Sequence, residues 1–114
     1  MGPMQPRYNL WLEIDGKVVL SLWRADLLRA VAATGSISAA AKQLGVPYRT
    51  AWQKINEMET RLGRPLVITQ TGGRHGGGAR LSETAEELLA RFARFANDMD
   101  RFVADAYAAN FDHS

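Results

Sequence analysis

Residues 38–62, SAAAKQLGVPYRTAWQKINEMETRL, contain the pattern from which the rest of the architecture follows. A short run rich in alanine ends at Gly45, and a longer run with a polar start comes after it. The longer run repeats apolar residues at the spacing of one buried helical stripe, at Ala51, Ile55, Met58 and Leu62. Glycine permits the positive φ of a tight turn between helices. The segment therefore predicts a helix-turn-helix.

The ends and contacts of these two helices can be predicted from single residues. Ser38 is the expected N-cap of the first helix, because a serine oxygen accepts hydrogen bonds from free backbone amides. Pro47 suits the first turn of the second helix, where no amide hydrogen is needed. The alanines at 39–41 let the helices cross closely, and Val46 and Ile55 are the expected apolar plugs between them.

The outer surface of the second helix is predicted to contact DNA. Arginine, lysine, glutamine and threonine read base edges and bind phosphates in a major groove. The residues left for this role are Tyr48, Arg49, Thr50, Gln53 and Lys54, with Trp52 facing outward or at the edge. A small helical bundle with a polar surface would show the same pattern. The segments on either side are therefore needed to distinguish a DNA-binding helix-turn-helix from such a bundle.

The segment before the helix-turn-helix predicts a β-hairpin and a further helix. Residues 8–20 form two β-rich runs around Asp15-Gly16, a pair that favours a type I′ turn. The apolar period then becomes helical over residues 23–34, and Gly35 ends that helix. The helical core is therefore expected to cover residues 23–62.

The segment from residue 66 to residue 81 predicts a second hairpin, which has the form of a wing. Two short apolar strands flank a loop with seven residues from Gly72 to Gly78 that contains Arg74 and His75. Glycines let the backbone approach a phosphate strand closely. We expect Arg74 and His75 to contact DNA, together with Lys42 and Arg80. A nucleotide-phosphate loop is excluded, because no lysine follows the glycines as in a Walker motif.

A long final helix is predicted over residues 82–107, with Ser82 as its cap. Its apolar residues alternate spacings of three and four, which is typical of a dimerisation seam. The residues assigned to that seam are Leu88, Phe92, Phe95, Met99 and Phe102. A helix of this length spans roughly 39 Å, more than a small domain needs. The alternative is a helix that packs entirely against its own N-terminal hairpin.

Charge and composition narrow the function further. The chain has 114 residues, enough for one domain over 1–114, and a formal net charge of +2. Residues 42–81 carry a formal charge of +5 and residues 82–114 one of −4. A localised positive field indicates a polyanionic partner, although an unevenly charged solvated surface would look the same.

Other classes of function find little support. The chain has no cysteine and only two histidines, His75 and His113, and no spacing typical of a metal site. We therefore predict no catalytic residues, no metal and no cofactor, and hence no enzyme. No apolar run is long enough to cross a membrane, so a cytoplasmic location without a membrane partner is expected.

Residues 20–95 resemble the N-terminal DNA-binding domain of the ModE family, the molybdate-responsive bacterial regulators. The resemblance is carried by Gly35-Ser36-Ile37-Ser38, by Tyr48-Arg49-Thr50-Ala51-Trp52 and by the glycine-rich run Thr71–Ala79. The LysR-type winged helix is similar, more distantly, through residues 27–85. The resemblance implies a winged helix-turn-helix, a dimer, and operator binding by the residues matching Tyr48, Arg49, Thr50, Gln53 and Lys54.

The chain departs from the ModE pattern in two respects. Pro47 stands where these families place a capping serine, so that capping bond is expected to be missing or replaced. ModE regulators bind molybdate in separate C-terminal β-domains, and a chain of 114 residues has no room for them. No small-molecule effector site is therefore expected in this chain.

The sequence thus predicts a mainly α fold with two β-hairpins, a winged helix-turn-helix followed by a long C-terminal dimerisation helix. The expected function is that of a bacterial transcriptional regulator that binds double-stranded operator DNA as a homodimer. The alternative is a protein-interaction module that joins another regulator through its long helix and does not itself read DNA.

Overall fold

A hairpin, three helices, a second hairpin and a long helix follow one another in the computed structural model, which describes residues 2–70 and 78–111. The first five elements are β1 (Trp11–Ile14), β2 (Lys17–Ser21), α1 (Leu22–Thr34), α2 (Ile37–Leu44) and α3 (Tyr48–Leu62). The last three are β3 (Val67–Gln70), β4 (Gly78–Leu81) and α4 (Glu83–Phe111). Each hairpin is a separate two-stranded antiparallel sheet. The predicted fold class, mainly α with two hairpins, is confirmed.

The first hairpin turns at Asp15 and Gly16, as predicted. Their φ angles of 52° and 76° are both positive, which a type I′ turn requires. The first strand begins at Trp11, three residues later than the alternating pattern from Tyr8 suggests. Tyr8 instead donates its hydroxyl to the Asp100 carboxylate on α4, and this hydrogen bond raises the pKa of the Tyr8 phenol.

The core lies where the first three helices meet the two hairpins. Its largest fully buried side chains are Leu20, Leu27, Leu28, Val31, Met58 and Leu66. Ala40 on α2 and Ala51 on α3 have no exposed surface, so the small side chains lie between the helices as expected. Burial of this continuous apolar cluster is the main force holding the helices together.

The start of α2 differs from the prediction. Ser36 is the N-cap, because its extended backbone lets its hydroxyl accept a hydrogen bond from the Ala39 amide at 2.9 Å. Ser38 is exposed and already lies inside the first turn. The left-handed Gly35 turns the chain immediately before Ser36, and Ile37, 7% exposed, begins the helix in the core.

The turn between α2 and α3 has the expected form. Gly45 adopts φ +70° and its amide donates to the Lys42 carbonyl at 3.1 Å. Pro47 stands directly before α3 as its N-cap residue and makes no side-chain capping bond, so the missing bond is confirmed. Its carbonyl still accepts from the amides of Thr50 and Ala51, which starts the helix.

The second hairpin is attached at both of its ends. The Ala79 amide donates to the Gly35 carbonyl at 2.7 Å, and the Ser82 amide donates to the Leu66 carbonyl at 2.8 Å. The Ser82 hydroxyl donates to the Pro65 carbonyl and accepts from the Ala85 amide, so Ser82 caps α4 as predicted. The hairpin is therefore fixed near its loop end against the α1–α2 corner and at its base against the start of α4.

Helix α4 is longer than predicted and gives the molecule its shape. It runs for 29 residues, ending at Phe111 and not near Tyr107. At 1.5 Å per residue its length is about 43 Å. Only Ala85, Leu89 and Phe92 are buried along it, all in its first ten residues. The molecule consequently measures 64 × 32 × 21 Å.

Candidate nucleic-acid interface

Helix α3 presents a polar stripe opposite its buried side. Ala51, Ile55 and Met58 face the core. At 100° per residue, the opposite direction is occupied by four side chains within about 60° of one another. This outward stripe consists of the exposed Arg49, Gln53, Asn56 and Thr60. The sequence prediction included the first two and omitted Asn56 and Thr60, although their spacing from Gln53 placed them on the same face.

One edge of α3 faces the second hairpin. Tyr48 and Trp52, one turn apart, are 53% and 49% exposed. They line a cleft of about 350 Å³ whose other walls are the start of α2 and the two wing strands. Those walls are made by Ser36, Ile37, Ser38, Thr69, Gln70, Gly78 and Ala79. Tyr48 therefore lies at the wing side of the helix and not in its outward stripe.

The other edge of α3 faces α1 and the first hairpin. Thr50 and Lys54, both predicted to contact DNA, are half-buried on this side. The Lys54 carbonyl accepts from the Arg24 guanidinium at 3.3 Å, and the Lys54 ammonium lies 3.9 Å from the Glu57 carboxylate. Lys54 is thus partly neutralised by its own helix, whereas Arg49 projects from the outward stripe.

Glu57 is the centre of a charged cluster on the same edge. Its carboxylate accepts from the Arg24 guanidinium at 3.0 Å, and an Arg61 nitrogen lies 3.6 Å away. The hydrogen bond from Arg24 lowers the pKa of Glu57, and the charges of Lys54, Arg24 and Arg61 lower it further against the opposing effect of burial. Arg61 also donates to the Val18 carbonyl at 2.7 Å, which joins α3 to the first hairpin.

Glu59 fixes the wing relative to α3 from the opposite edge. One oxygen of its carboxylate accepts from the amides of Leu66 and Val67, at 2.8 and 3.1 Å. These amides open strand β3, so the direction in which the wing leaves α3 depends on this side chain. The sequence did not reveal the contact of Glu57 with Arg24 or that of Glu59 with the wing.

The remaining predicted DNA contacts lie on neighbouring elements. Lys42 is exposed in the last turn of α2, and Arg80 is exposed on β4. Arg74 and His75 lie outside the described residues. The described part of the chain therefore presents basic side chains from α2, α3 and the wing.

The predicted seam on α4 divides between the chain's own core and its surface. Phe92 is 2% exposed and the half-buried Leu88 packs against the core, so within one chain both contribute to the domain itself, and their assignment to a partner surface stays a prediction. The first ten residues of α4 pack onto the domain, with Ala85 and Leu89 in the same core cluster as Phe92. Phe95 and Phe102 are 41% and 67% exposed, and Met99 is half-buried.

The far half of α4 is contacted by the residues that precede the first hairpin. The Tyr107 hydroxyl donates to the Met4 carbonyl at 3.0 Å, and Tyr8 bonds to Asp100 as described above. Pro6 lines the same cleft as Phe102 and Tyr107. The alternative predicted from the sequence was that α4 packs against the N-terminal hairpin. The observed contacts come instead from residues 4–8, before the first strand of that hairpin.

Within residues 2–70 and 78–111, no helix is long and apolar enough to cross a lipid bilayer. The same ranges contain no cluster of three histidine, aspartate or glutamate side chains placed to hold a metal ion.

Known proteins resemble the chain over most of its length. The molybdenum-pterin-binding protein MopB of Rhodobacter capsulatus is 44% identical over 69 residues, which are 60% of this chain and 26% of that protein. The DNA-binding transcriptional dual regulator ModE of Escherichia coli K12 is 40% identical over 86 residues, which are 75% of this chain and 33% of the regulator. The chain thus corresponds to a third or less of these relatives, and its resemblance to ModE proteins is confirmed.

Solved structures share the fold. The CbnR_DBD–DNA complex matches with a TM-score of 0.59 at 24% identity, covering 79% of this chain and 98% of that one. The complex of BenM_DBD with benA site 1 DNA also matches with a TM-score of 0.59, at 18% identity, covering 82% and 100%. The family model of the bacterial regulatory helix-turn-helix proteins, lysR family, matches residues 23–86. The chain belongs to this family of helix-turn-helix regulatory proteins.

Proposed function

We propose that this chain is the DNA-binding part of a bacterial transcriptional regulator, and that α3 is its recognition helix. The outward stripe carries the proposal, because it combines an arginine, a glutamine and an asparagine on one exposed face. These side chains form bidentate contacts with guanine and adenine edges in a major groove. We propose binding, and no catalytic step, as the activity, and the cytoplasm as its place.

Contacts to the phosphate backbone are proposed for the residues around the outward stripe. Lys42 and Arg80 are exposed on the elements that flank α3, as a winged helix requires for binding both sides of a groove. Arg74 and His75, which come between the two wing strands in the sequence, are proposed to reach the adjacent backbone or minor groove. Tyr48, Thr50 and Lys54 lie at the edges of α3 and are proposed to contact backbone more than bases.

We further propose that the chain acts as a homodimer joined by α4. Phe102 and Phe111 are 67% and 62% exposed, an unusual exposure for phenylalanine on a helix. A second α4 would cover Phe102 together with Phe95 and Met99, which lie within about 60° of one another around the helix, whereas Phe111 lies on the opposite side. Two recognition helices would then read two half-sites, so a two-fold symmetric operator is expected.

The second candidate function, a protein-interaction module, is favoured by the same exposed rings. In that case α4 would bind the helix of another regulator, and the outward stripe would have no sequence to read. The two candidates differ in salt dependence, because each phosphate contact adds nearly one unit to the slope of log affinity against log salt.

The experiment is selection of duplexes from a random pool by the purified chain, followed by titration of the enriched duplex at several salt concentrations. We expect one enriched sequence with two related halves, and an affinity that falls steeply with salt. Enrichment of no sequence, together with weak binding that is the same for all duplexes, would support the interaction module instead.

A further inference from the structure

Trp52 is a large apolar side chain on the wing-side edge of α3, next to the outward stripe that is proposed to contact DNA. Its indole is 49% exposed, and its Nε1 has no hydrogen-bond partner among the described residues. Trp11, 46% exposed on β1, differs in this respect because its Nε1 donates to the Glu13 carboxylate at 2.7 Å. Neither the core nor a polar partner explains the position of Trp52.

The surroundings of Trp52 place it beside the residues proposed to read bases. It precedes Gln53 and follows Tyr48 by one helical turn, between the outward stripe and the wing. A second cleft, which contains Asn56 and Thr69, meets the same indole ring. A duplex that contacts the outward stripe and the wing strands together would therefore cover Trp52.

The chemistry of the major groove limits what an indole could recognise there. The groove edges of the four base pairs present hydrogen-bond donors and acceptors and a single apolar group, the 5-methyl group of thymine. An indole has one N–H donor and an extended apolar surface. If this surface covered only hydrogen-bond donors and acceptors of the bases, those base groups would be left without partners. Contact with thymine methyl is the arrangement that removes apolar surface from water on both sides.

We propose that Trp52 is a specificity-determining residue that recognises thymine, by packing its indole against the 5-methyl group of one thymine in each half-site. This inference rests on the proposed DNA-binding function. It goes further by naming thymine as the base that the wing-side edge of α3 recognises. DNA suits this surface better than a protein partner does. Arg49, one turn from Trp52, has no carboxylate partner within the described structure, and the phosphates and bases of a duplex supply acceptors for its guanidinium.

The test replaces thymine by uracil, which removes only the methyl group. The duplex enriched by the wild-type chain is prepared with deoxyuridine at each thymine position in turn, and the dissociation constant of each duplex is measured. Loss of one buried methyl contact corresponds to about a fourfold weaker complex. We expect this loss at one position of each half-site with the wild-type chain, and equal binding of the thymine and uracil duplexes with Trp52→Ala.

Two controls keep the result interpretable. Trp11→Ala removes a similarly exposed tryptophan from another element and should retain the fourfold preference for thymine. Trp52→Phe keeps an aromatic ring and should retain part of it, and circular dichroism of each variant reports whether it folds. The inference is overturned if no thymine position responds to loss of its methyl group, or if Trp52→Ala keeps the wild-type preference. If the selection enriches no duplex, the proposed DNA-binding function fails together with this inference. If a duplex is enriched but its thymine methyl groups have no effect, only the inference about Trp52 fails.

Discussion

Arg24 and Glu57 join α1 to α3 through a hydrogen-bonded ion pair of 3.0 Å. Arg24 is only 8% exposed, and its guanidinium also donates to the Lys54 carbonyl, so it bonds to both the backbone and a side chain of α3. A charge this deeply buried requires its partner. The angle at which α3 leaves the core consequently depends on this pair, and so does the direction of the outward stripe.

Glu57→Gln should destabilise the fold by about 2 kcal/mol at neutral pH, because it leaves the buried Arg24 without a carboxylate. Urea denaturation followed by circular dichroism measures the change. Asp26→Asn is the matched control, since it breaks an exposed pair with Arg29 at 3.2 Å and should cost about 0.5 kcal/mol or less. Equal effects of the two changes would show that burial of the Arg24 pair has no energetic consequence.

The stability that Glu57 provides should depend on pH. Its pKa in the folded chain is lowered from the ordinary value of 4.5, so unfolding raises its affinity for a proton. The contribution is therefore complete above pH 4.5 and is lost as the pH falls through the lower, folded-state pKa. Over that acidic range the free energy of unfolding of the wild-type chain should fall more than that of Glu57→Gln. If the two free energies change in parallel with pH, the ionised Glu57 carboxylate does not stabilise the fold.

Ser36→Ala and Ser38→Ala should separate the observed cap of α2 from the predicted one. Ser36 accepts the Ala39 amide, so its loss should destabilise the fold by about 1 kcal/mol. Ser38 is exposed within the first turn, and its replacement should change the free energy of unfolding by less than about 0.5 kcal/mol. The reverse order in thermal or urea unfolding would restore Ser38 as the cap.

Gly45→Ala should destabilise the turn between α2 and α3 by about 1–2 kcal/mol, because a side chain is strained in the left-handed conformation. The φ of Gly45 is +70°, although a methyl group there would meet no atom within 4 Å. Gly78→Ala is the control, since a Cβ there would lie 3.4 Å from the Gly35 carbonyl, an ordinary contact, without a left-handed backbone. If both variants melt at the wild-type temperature, backbone strain is not what requires glycine at position 45.

Arg49→Ala and Arg80→Ala should affect DNA binding differently. Arg49 lies in the outward stripe, and its loss should cost about 1–3 kcal/mol on the selected duplex and relax the sequence preference. Arg80 lies on the wing, and its loss should weaken all duplexes alike and reduce the salt slope by about 0.9. Titrations of specific and random duplexes at several salt concentrations measure both. Uniform losses from both variants would remove the proposed division between base and phosphate contacts.

Phe102→Glu should convert a dimer into a monomer without unfolding the chain. The ring is 67% exposed, so its replacement removes little from the core, but it introduces a charge into the proposed α4–α4 contact. Sedimentation equilibrium should show the change in mass. Ala104→Glu, on an exposed position about 200° away around the helix, should leave the dimer intact. A monomeric wild-type chain would refute the proposed dimer.

The sequence by itself determined the order and type of the elements. The Asp15-Gly16 pair and Gly45 marked two turns in the sequence. Apolar residues at three- and four-residue intervals identified α3. These signals can be read from the sequence because each depends on only a few neighbouring residues. The same local logic placed Arg49 and Gln53 on the exposed face. It also identified Ser82 as the cap of α4.

Only the tertiary structure decided which partners these residues have. Glu57 and Glu59 are two residues apart, yet one bonds to Arg24 on α1 and the other to the amides that open the wing. Phe92 and Phe95 occupy the same predicted seam, but the docking of α4 buries the first and exposes the second. Spacing along a helix gives a direction around its axis, whereas contacts depend on where the other elements lie. That arrangement comes from burying the whole apolar cluster at once, and no single segment contains it.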